Sequence, residues 1–147
     1  MSKSIVAAVR TTPGTVLEDY ARLMDLIEYQ NLLDPDATTI LKNNISWHML
    51  YPSANTTPWQ IEGVARKMRQ DGFNDMVVVE NRTVVTKAKK GEKLNNFTPV
   101  HDKYDLPIKY NFNPADMRWK VYEPKGEMLV LDKVCLLYTS PSPRDNR

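Results

Sequence analysis

The residues best suited to bind a ligand lie at the ends of two neighbouring segments. Lys42 and Asn44 close a stretch of β-prone residues. Thr56 and Thr57 come directly before an amphipathic stretch. A lysine supplies a positive charge, an asparagine a two-way amide and a threonine a hydroxyl, and the start of a helix adds unpaired N–H groups and a dipole that favours anions. These four residues therefore predict a site for a small anionic ligand such as a carboxylate or a phosphate.

The same residues also have a purely structural interpretation, which the sequence leaves open. Residues 57–60, Thr-Pro-Trp-Gln, have the form of a capping box with proline at the first helical position, so Thr57 is explained as an N-cap alone. Lys42 is then a solvated charge at the end of a strand. Three aromatic residues flank the site and either wall a pocket or belong to the core: Trp47, Tyr51 and Trp59.

Other kinds of catalytic or metal chemistry have no motif in this chain. The two histidines, His48 and His101, are far apart and have no cysteine or carboxylate at metal-ligand spacing. The five glycines are scattered singly, so there is no glycine-rich phosphate loop. A nucleophile elbow, a Cys–His pair and a paired-carboxylate pattern are also missing. The sequence therefore predicts no metal site and leaves the question of enzymatic activity open.

The elements that must position the anion site alternate between strand and helix patterns. In order they are a strand at 5–9, a helix at about 16–30, a strand at 38–45, a helix from Pro58 to Gly72 and a strand at 76–80. Thr15 and Glu18 form a capping-box pattern before the first helix, whose apolar stripe includes Tyr20. This strand-helix-strand-helix-strand order predicts an α/β fold with a mostly parallel sheet and packed helices.

The second half of the chain has weaker patterns. Residues 87–93 are rich in lysine, and we expect them to be solvated rather than to bind a polyanion. Three further elements are predicted: a short helix opened by Thr98 and Pro99, a strand at 107–112, and a C-terminal β-hairpin whose strands at 117–122 and 128–134 flank a turn at 124–126.

The last thirteen residues differ in character from the rest. Residues 135–147 contain two prolines and no periodicity, and one choice of codons for 135–145 reproduces the end of a widely used transposase adapter for sequencing libraries. We therefore expect residues 135–147 to be an unstructured tail read from an adapter. Residues 1–134 are then the N-terminal portion of a single α/β domain, truncated near Val134.

Composition bounds the function classes. The chain has 147 residues, 41% hydrophobic and 26% charged, with a formal net charge of +2. Without Arg144, Asp145 and Arg147 the net charge is +1 and the single cysteine, Cys135, is also lost. A charge this balanced predicts neither a nucleic-acid nor a membrane partner. No apolar run is long enough for a span or a signal core, so we expect a cytoplasmic protein.

The segments around the predicted site resemble a known family. The run Ile40-Leu41-Lys42-Asn43-Asn44, then Thr56-Thr57-Pro58, a helix ending at Gly72 and the strand Val77-Val78-Val79-Glu80 are similar to the N-terminal part of the "domain of unknown function 362" family. Lys42 and Asn44 match that family's Lys-Pro-Asn strand end, whereas Asn43 replaces its proline. The resemblance covers residues 5–81 closely and residues 83–134 only loosely.

This resemblance implies an α/β domain without a settled activity, in a family whose members sometimes carry iron–sulfur modules. The family's Lys-Thr-His and glycine-rich Met-Lys-Asn motifs are absent from this chain. Residues 1–134 contain no cysteine, so we expect no thiolate-bound cluster here, although the full-length protein could carry an iron–sulfur cluster. Two alternatives to an anion-binding domain stay open: an accessory redox protein associated with such a module, and a structural or interaction domain.

Overall fold

A three-stranded parallel sheet forms the centre of the fold. The computed structural model describes residues 5–82 and 86–116, together with the backbone of residues 119–121 and 133–135. The strands are β1 (Thr39–Lys42), β2 (Met76–Glu80) and β3 (Ile108–Tyr110), and they pair in the order β1-β2-β3. Both pairs are parallel, so the predicted α/β class is confirmed.

Helices connect successive strands. The described helices are α1 (Val16–Leu26), α2 (Pro58–Gln70), α3 (Ala88–Leu94) and α4 (Thr98–Lys103), with short 3-10 turns at Tyr29–Asn31 and Pro114–Asp116. α2 links β1 to β2, and α3 and α4 link β2 to β3. The sequence predicted α1, α2 and α4. It did not predict α3, which forms from the lysine-rich segment.

The core lies between the sheet and the helices. β2 is buried along its whole length, as its lack of alternation predicts. Met76 and Val78 share one face of β2 and belong to the same cluster as Ala65 of α2 and Val100 of α4. The complete buried cluster is Met24, Tyr29, Ile45, Ile61, Ala65, Met68, Phe73, Met76, Val78, Phe97, Val100 and Leu106.

The first predicted strand does not form. Residues 5–10 have no strand pairing, and Ile5 and Val6 are 67% and 88% exposed. In the described sheet β1 pairs with β2 alone, and residues 5–9 do not add to its open edge. An apolar run favours a strand only when a partner strand lies beside it. The prediction of a buried strand at residues 5–9 is therefore wrong.

The two capping predictions have different outcomes. At α2, Gln60 Oε1 accepts the Thr57 backbone N–H at 2.7 Å, so the predicted capping box is present. At α1 the predicted box is wrong, because the Thr15 hydroxyl makes no cap hydrogen bond and donates instead to Asp19 at 2.6 Å. α1 also ends at Leu26, earlier than predicted, before Glu28 takes a φ of 51°.

Two short strands, β4 (Trp119–Val121) and β5 (Lys133–Cys135), pair antiparallel near the C-terminus. The predicted hairpin stays a prediction, because its turn at 124–126 and residues 128–132 of its second strand lie outside the described residues. Cys135 is the last residue of β5. The prediction of an unstructured tail otherwise concerns residues 136–147, which also lie outside the described residues.

Candidate functional site

The carboxyl ends of the three parallel strands meet at one edge of the sheet. β1 ends at Lys42, β2 at Glu80 and β3 at Tyr110. The register aligns Lys42 with Val79 and Glu80 with Tyr110. In open parallel sheets ligands bind at this edge, so the side chains that line it are the first candidates for function.

A closed loop at this edge brings two of the predicted residues together. The Thr56 backbone N–H donates to the Asn44 carbonyl at 2.8 Å, and the Asn44 N–H donates to the Thr56 hydroxyl at 2.8 Å. This reciprocal pair joins the two ends of residues 44–56. Thr56 is thereby held beside the end of β1, where Lys42 lies.

Lys42 and Thr56 line the same open cavity of about 310 Å³. Tyr20 of α1 and Gln60 of α2 contribute to its wall. The full lining is Tyr20, Ile40, Leu41, Lys42, Asn43, Thr56, Gln60, Ile61 and Val64. Among the described residues, that lining contains Lys42 and no aspartate or glutamate, so its formal charge is positive.

Several lining groups are able to donate hydrogen bonds into the cavity. The Thr56 hydroxyl oxygen accepts the Asn44 N–H, which leaves its hydrogen to donate. The Gln60 carbonyl oxygen is occupied by Thr57, so the amide NH₂ end of Gln60 carries its remaining donor capacity. Together with the Tyr20 hydroxyl and the positive charge of Lys42, these donors suit an anion.

The other two predicted residues serve the local structure. The Asn44 side chain donates to the Ala54 carbonyl at 2.7 Å and to the Ser46 hydroxyl at 3.1 Å. Thr57 is buried and its N–H and hydroxyl both donate to Gln60. Neither Asn44 nor Thr57 lines the cavity. Pro58 lacks an N–H, so the start of α2 also offers fewer donors than we predicted.

The three flanking aromatic residues are not core residues. Trp47, Tyr51 and Trp59 are each exposed over about half of their surface, and none of them lines the 310 Å³ cavity. Trp59 instead borders a larger cavity of about 670 Å³ between residues 11–18 and α2. That cavity is walled mainly by apolar groups with Glu18 and Glu62 as its charged residues, so it does not favour an anion.

A buried carboxyl pair that we did not predict lies at the same edge. Glu80 ends β2 and is 3% exposed, and Glu92 of α3 is 5% exposed. The Tyr110 hydroxyl donates to Glu92 Oε2 at 3.0 Å. Within the described part of the chain, the Oε1 atoms of both glutamates have no hydrogen-bond partner. A charged residue closing the apolar strand Met-Val-Val-Val was the one sequence signal for this pair.

Burial raises the pKa of both carboxyl groups and favours their protonated forms. Desolvation, reinforced by the neighbouring Glu92, raises the pKa of Glu80 to about 8, although the positive charge of Lys42 opposes the change. Desolvation also raises the pKa of Glu92, against the effects of the Tyr110 hydroxyl and Lys89. Below the pKa of Glu80, no negative charge at that position offsets the charge of Lys42.

The two histidines lie in different elements of the fold. His101 is buried, its Nε2 lies 3.3 Å from the Asn43 side-chain nitrogen, and burial lowers its pKa. His48 lies in the 44–56 loop. Among the residues that the structure describes, no group of three or more histidine, cysteine, aspartate or glutamate side chains is placed to hold a metal ion.

We find no match to this chain among family models, curated proteins or solved structures. Membership of the "domain of unknown function 362" family therefore stays a prediction. In the described ranges, no helix has the length and apolar character needed to cross a bilayer.

Proposed function

We propose that this α/β domain binds a small anionic ligand at the carboxyl edge of its sheet. The observation that carries this proposal is the cavity of about 310 Å³ that Lys42 and Thr56 share. We assign the charge neutralisation to Lys42 and hydrogen-bond donation to Thr56, Gln60 and Tyr20. Asn44 and Thr57 act indirectly, because they hold the loop and the helix start in place.

The protonation of Glu80 supports this assignment. The positive charge of Lys42 acts on Glu80 strongly enough to oppose the increase in its pKa. An ionised Glu80 would therefore reduce the attraction of the edge for an anion. Because the pKa of Glu80 is raised to about 8, the carboxyl group is neutral at pH 7, and we expect anion affinity to fall above pH 8.

The test uses sulfate, whose charge is constant between pH 6 and 9. Sodium sulfate is titrated against sodium chloride at constant ionic strength, and binding is followed by the amide NMR signals of Asn43 and Thr56. Lys42→Ala should weaken binding by about tenfold or more, since a charge-assisted hydrogen bond is lost. Lys109→Ala is the matched control. Lys109 is an exposed lysine of β3 that aligns with Val79 of β2, and Lys42 aligns with the same Val79 from β1, on the other side of β2.

Three results separate the possibilities. A selective loss in Lys42→Ala supports the proposal. Equal losses in Lys42→Ala and Lys109→Ala would indicate a general charge effect and reject the role of Lys42. Wild-type protein whose Asn43 and Thr56 signals do not respond to sulfate would reject this anion site and favour a structural or interaction domain. A cytoplasmic location remains a prediction.

A further inference from the structure

The loop of residues 44–56 exposes an unusual amount of apolar surface. Trp47, Met49, Leu50 and Tyr51 are 47%, 57%, 58% and 54% exposed. Residues 43–61 contain no Asp, Glu, Lys or Arg, in a chain that is 26% charged. Single exposed apolar residues are common, but contiguous ones such as these usually mark an interaction surface.

The loop is held in one conformation by a buried asparagine. The Asn55 side-chain nitrogen donates to the carbonyls of Trp47 and Met49, each at 2.9 Å, and the Trp47 N–H donates to Asn55 Oδ1 at 3.1 Å. The Asn55 backbone N–H donates to the Tyr51 carbonyl at 2.9 Å. The apolar side chains therefore project from a preformed loop, which reduces the entropy lost on binding.

α3 packs directly beside this loop. Asn55 Nδ2 donates to Asn95 Oδ1 at 2.8 Å, just after the end of α3, and the Thr86 hydroxyl donates to the Ser46 carbonyl at 2.8 Å. Gly91 lies so close to the loop that a Cβ there would come within 2.6 Å of Ile45. The loop and α3 are thus in direct contact, and we treat their exposed side chains as one candidate surface.

The α3 side of this surface is positively charged. Its lysines are all exposed, whereas its single acid, Glu92, is buried. The exposed lysines are Lys87 at the N-cap of α3 and Lys89, Lys90 and Lys93 within it, and Lys89 Nζ lies 5.1 Å from the centroid of the Tyr110 ring. The balanced net charge of the chain predicts no membrane partner, but the charge is unevenly distributed, and here it is locally basic beside apolar groups.

We propose that this loop–α3 surface, residues 46–52 with the exposed lysines of α3, binds the surface of an anionic lipid membrane. Tryptophan and tyrosine favour the membrane interface, and Met49 and Leu50 provide the side chains that enter it. Each lysine near an anionic surface strengthens binding by about fivefold. Apolar insertion combined with basic charge is the pair of signals that reversible membrane binding requires.

Two other partners, a second copy of the chain and a single-stranded nucleic acid, fit this surface less well than a membrane does. A second copy of the chain would pair the apolar loops, but this surface offers the lysines of the other copy no acidic partner, because residues 43–61 contain no Asp or Glu and Glu92 is buried. A single-stranded nucleic acid would use the aromatic rings and lysines, but Met49 and Leu50 give it no stacking or hydrogen-bonding partner. An anionic bilayer uses both the aliphatic and the basic parts.

The test is co-sedimentation of the full chain with vesicles of equal parts phosphatidylcholine and phosphatidylserine, and with vesicles of phosphatidylcholine alone. We expect binding to the anionic vesicles that weakens as salt is raised. The double variant Met49→Ser/Leu50→Ser should lose about tenfold or more in affinity. Leu32→Ser is its control, since Leu32 is 74% exposed outside this surface.

The basic part is tested separately. Lys90→Glu should weaken binding to anionic vesicles by more than about fivefold, whereas Arg10→Glu makes the same change in net charge on an exposed residue elsewhere and should have a smaller effect. Circular dichroism of each variant confirms that it is folded. Quenching of tryptophan fluorescence by brominated lipid, lost in Trp47→Phe, would show that the loop itself enters the bilayer.

Four results would overturn the proposal. The first is that the chain sediments with neither kind of vesicle, and the second is that Met49→Ser/Leu50→Ser and Leu32→Ser lose equal affinity. The third is tighter binding to a single-stranded oligonucleotide than to anionic vesicles. The fourth is a solution dimer that Met49→Ser/Leu50→Ser dissociates, without any vesicle binding. The anion-site variant Lys42→Ala should keep most of its vesicle binding, so the two proposals fail independently.

Discussion

Glu80 and Tyr110 are aligned across β2 and β3, and the hydroxyl of Tyr110 donates to Glu92 at 3.0 Å. A phenol has a single hydrogen, so it satisfies only one of the two buried carboxyl groups at this edge. Glu80 is left in a buried site beside a second acid. The consequence is a carboxyl group that stays protonated at neutral pH, with a pKa of about 8.

The stability of the fold should therefore fall as the pH rises towards 8. Between the ordinary pKa of 4.5 and the folded value of about 8, the folded chain binds more protons at Glu80 than the unfolded chain does. The free energy of unfolding then decreases with pH across this window, by a total on the order of a few kcal/mol. Glu80→Gln removes this contribution, so the variant should exceed the wild type in stability at pH 8.5 by more than at pH 5.

Urea unfolding of both proteins across this pH range measures the difference. Glu62→Gln is a suitable control, because the hydrogen bond from Lys103 lowers the pKa of Glu62 and its contribution is already complete above pH 5. The stability difference between Glu62→Gln and the wild type should not change with pH in this window. A pH-independent difference for Glu80→Gln as well would contradict the assignment of the protonated acid to Glu80.

A helix or strand could be predicted where its sequence signal is local, that is, contained within a few neighbouring residues. β2 and the start of α2 could be predicted, because an unbroken apolar run and the Thr57–Gln60 capping box are both complete within a few residues. Residues 5–9 were misassigned, since strand formation depends on a partner that the local pattern does not contain. α3 was missed because its lysine-rich segment lacks an apolar stripe, and Ala88 and Gly91 are buried by tertiary packing.

The residues of the candidate site also differ in whether the sequence alone could predict them. Lys42 and Thr56 were predictable from the end of a strand and the start of a helix, and both line the cavity. Tyr20 was assigned to an apolar stripe and Gln60 to a cap, so their place on the cavity wall could not be inferred without the packing of α1 on α2. The pairing of Glu80 with Glu92 needed the position of α3, which the sequence pattern did not provide.

Removal of the Asn55 side chain should destabilise the 44–56 loop. Asn55→Ala leaves the Trp47 N–H, the Met49 backbone carbonyl and the side-chain oxygen Oδ1 of Asn95 without their partner. Unpaired buried polar groups cost about 1–3 kcal/mol each, so we expect a total loss near the upper end of that range. Urea unfolding measures the loss, and faster hydrogen exchange of the Trp47 amide locates it.

Asn31→Ala is the matched control for that variant. Asn31 is exposed and donates from its side chain to Glu28, so its removal should change the free energy of unfolding by less than about 0.5 kcal/mol. If Asn55→Ala and Asn31→Ala have the same effect, Asn55 does not organise the loop.

Close packing of α1 on α2 makes Gly63 sensitive to enlargement. A Cβ at Gly63 would lie 2.7 Å from Tyr20 Cβ, which belongs to α1. Alanine favours a helix over glycine by about 1 kcal/mol, but we expect the clash to exceed this gain and Gly63→Ala to lose about 1–3 kcal/mol overall. Gly14→Ala, with no atom within 4 Å of the added Cβ, should be nearly neutral. A thermal unfolding midpoint that rises in Gly63→Ala would show that the helices separate at little cost.

Arg69 of α2 should be more important for stability than its neighbour Arg66. The Arg69 guanidinium donates to the carbonyls of Tyr104 at 2.8 Å and Asp105 at 3.2 Å, and so fixes the end of α4 to α2. Lysine lacks this planar fork, so Arg69→Lys should lose about 1–2 kcal/mol in urea unfolding. Arg66 pairs with Glu18 on the surface, and Arg66→Lys should lose less than about 0.5 kcal/mol. Equal losses in the two variants would mean that the carbonyl contacts of Arg69 add nothing beyond a surface charge, and that other contacts hold α4 against α2.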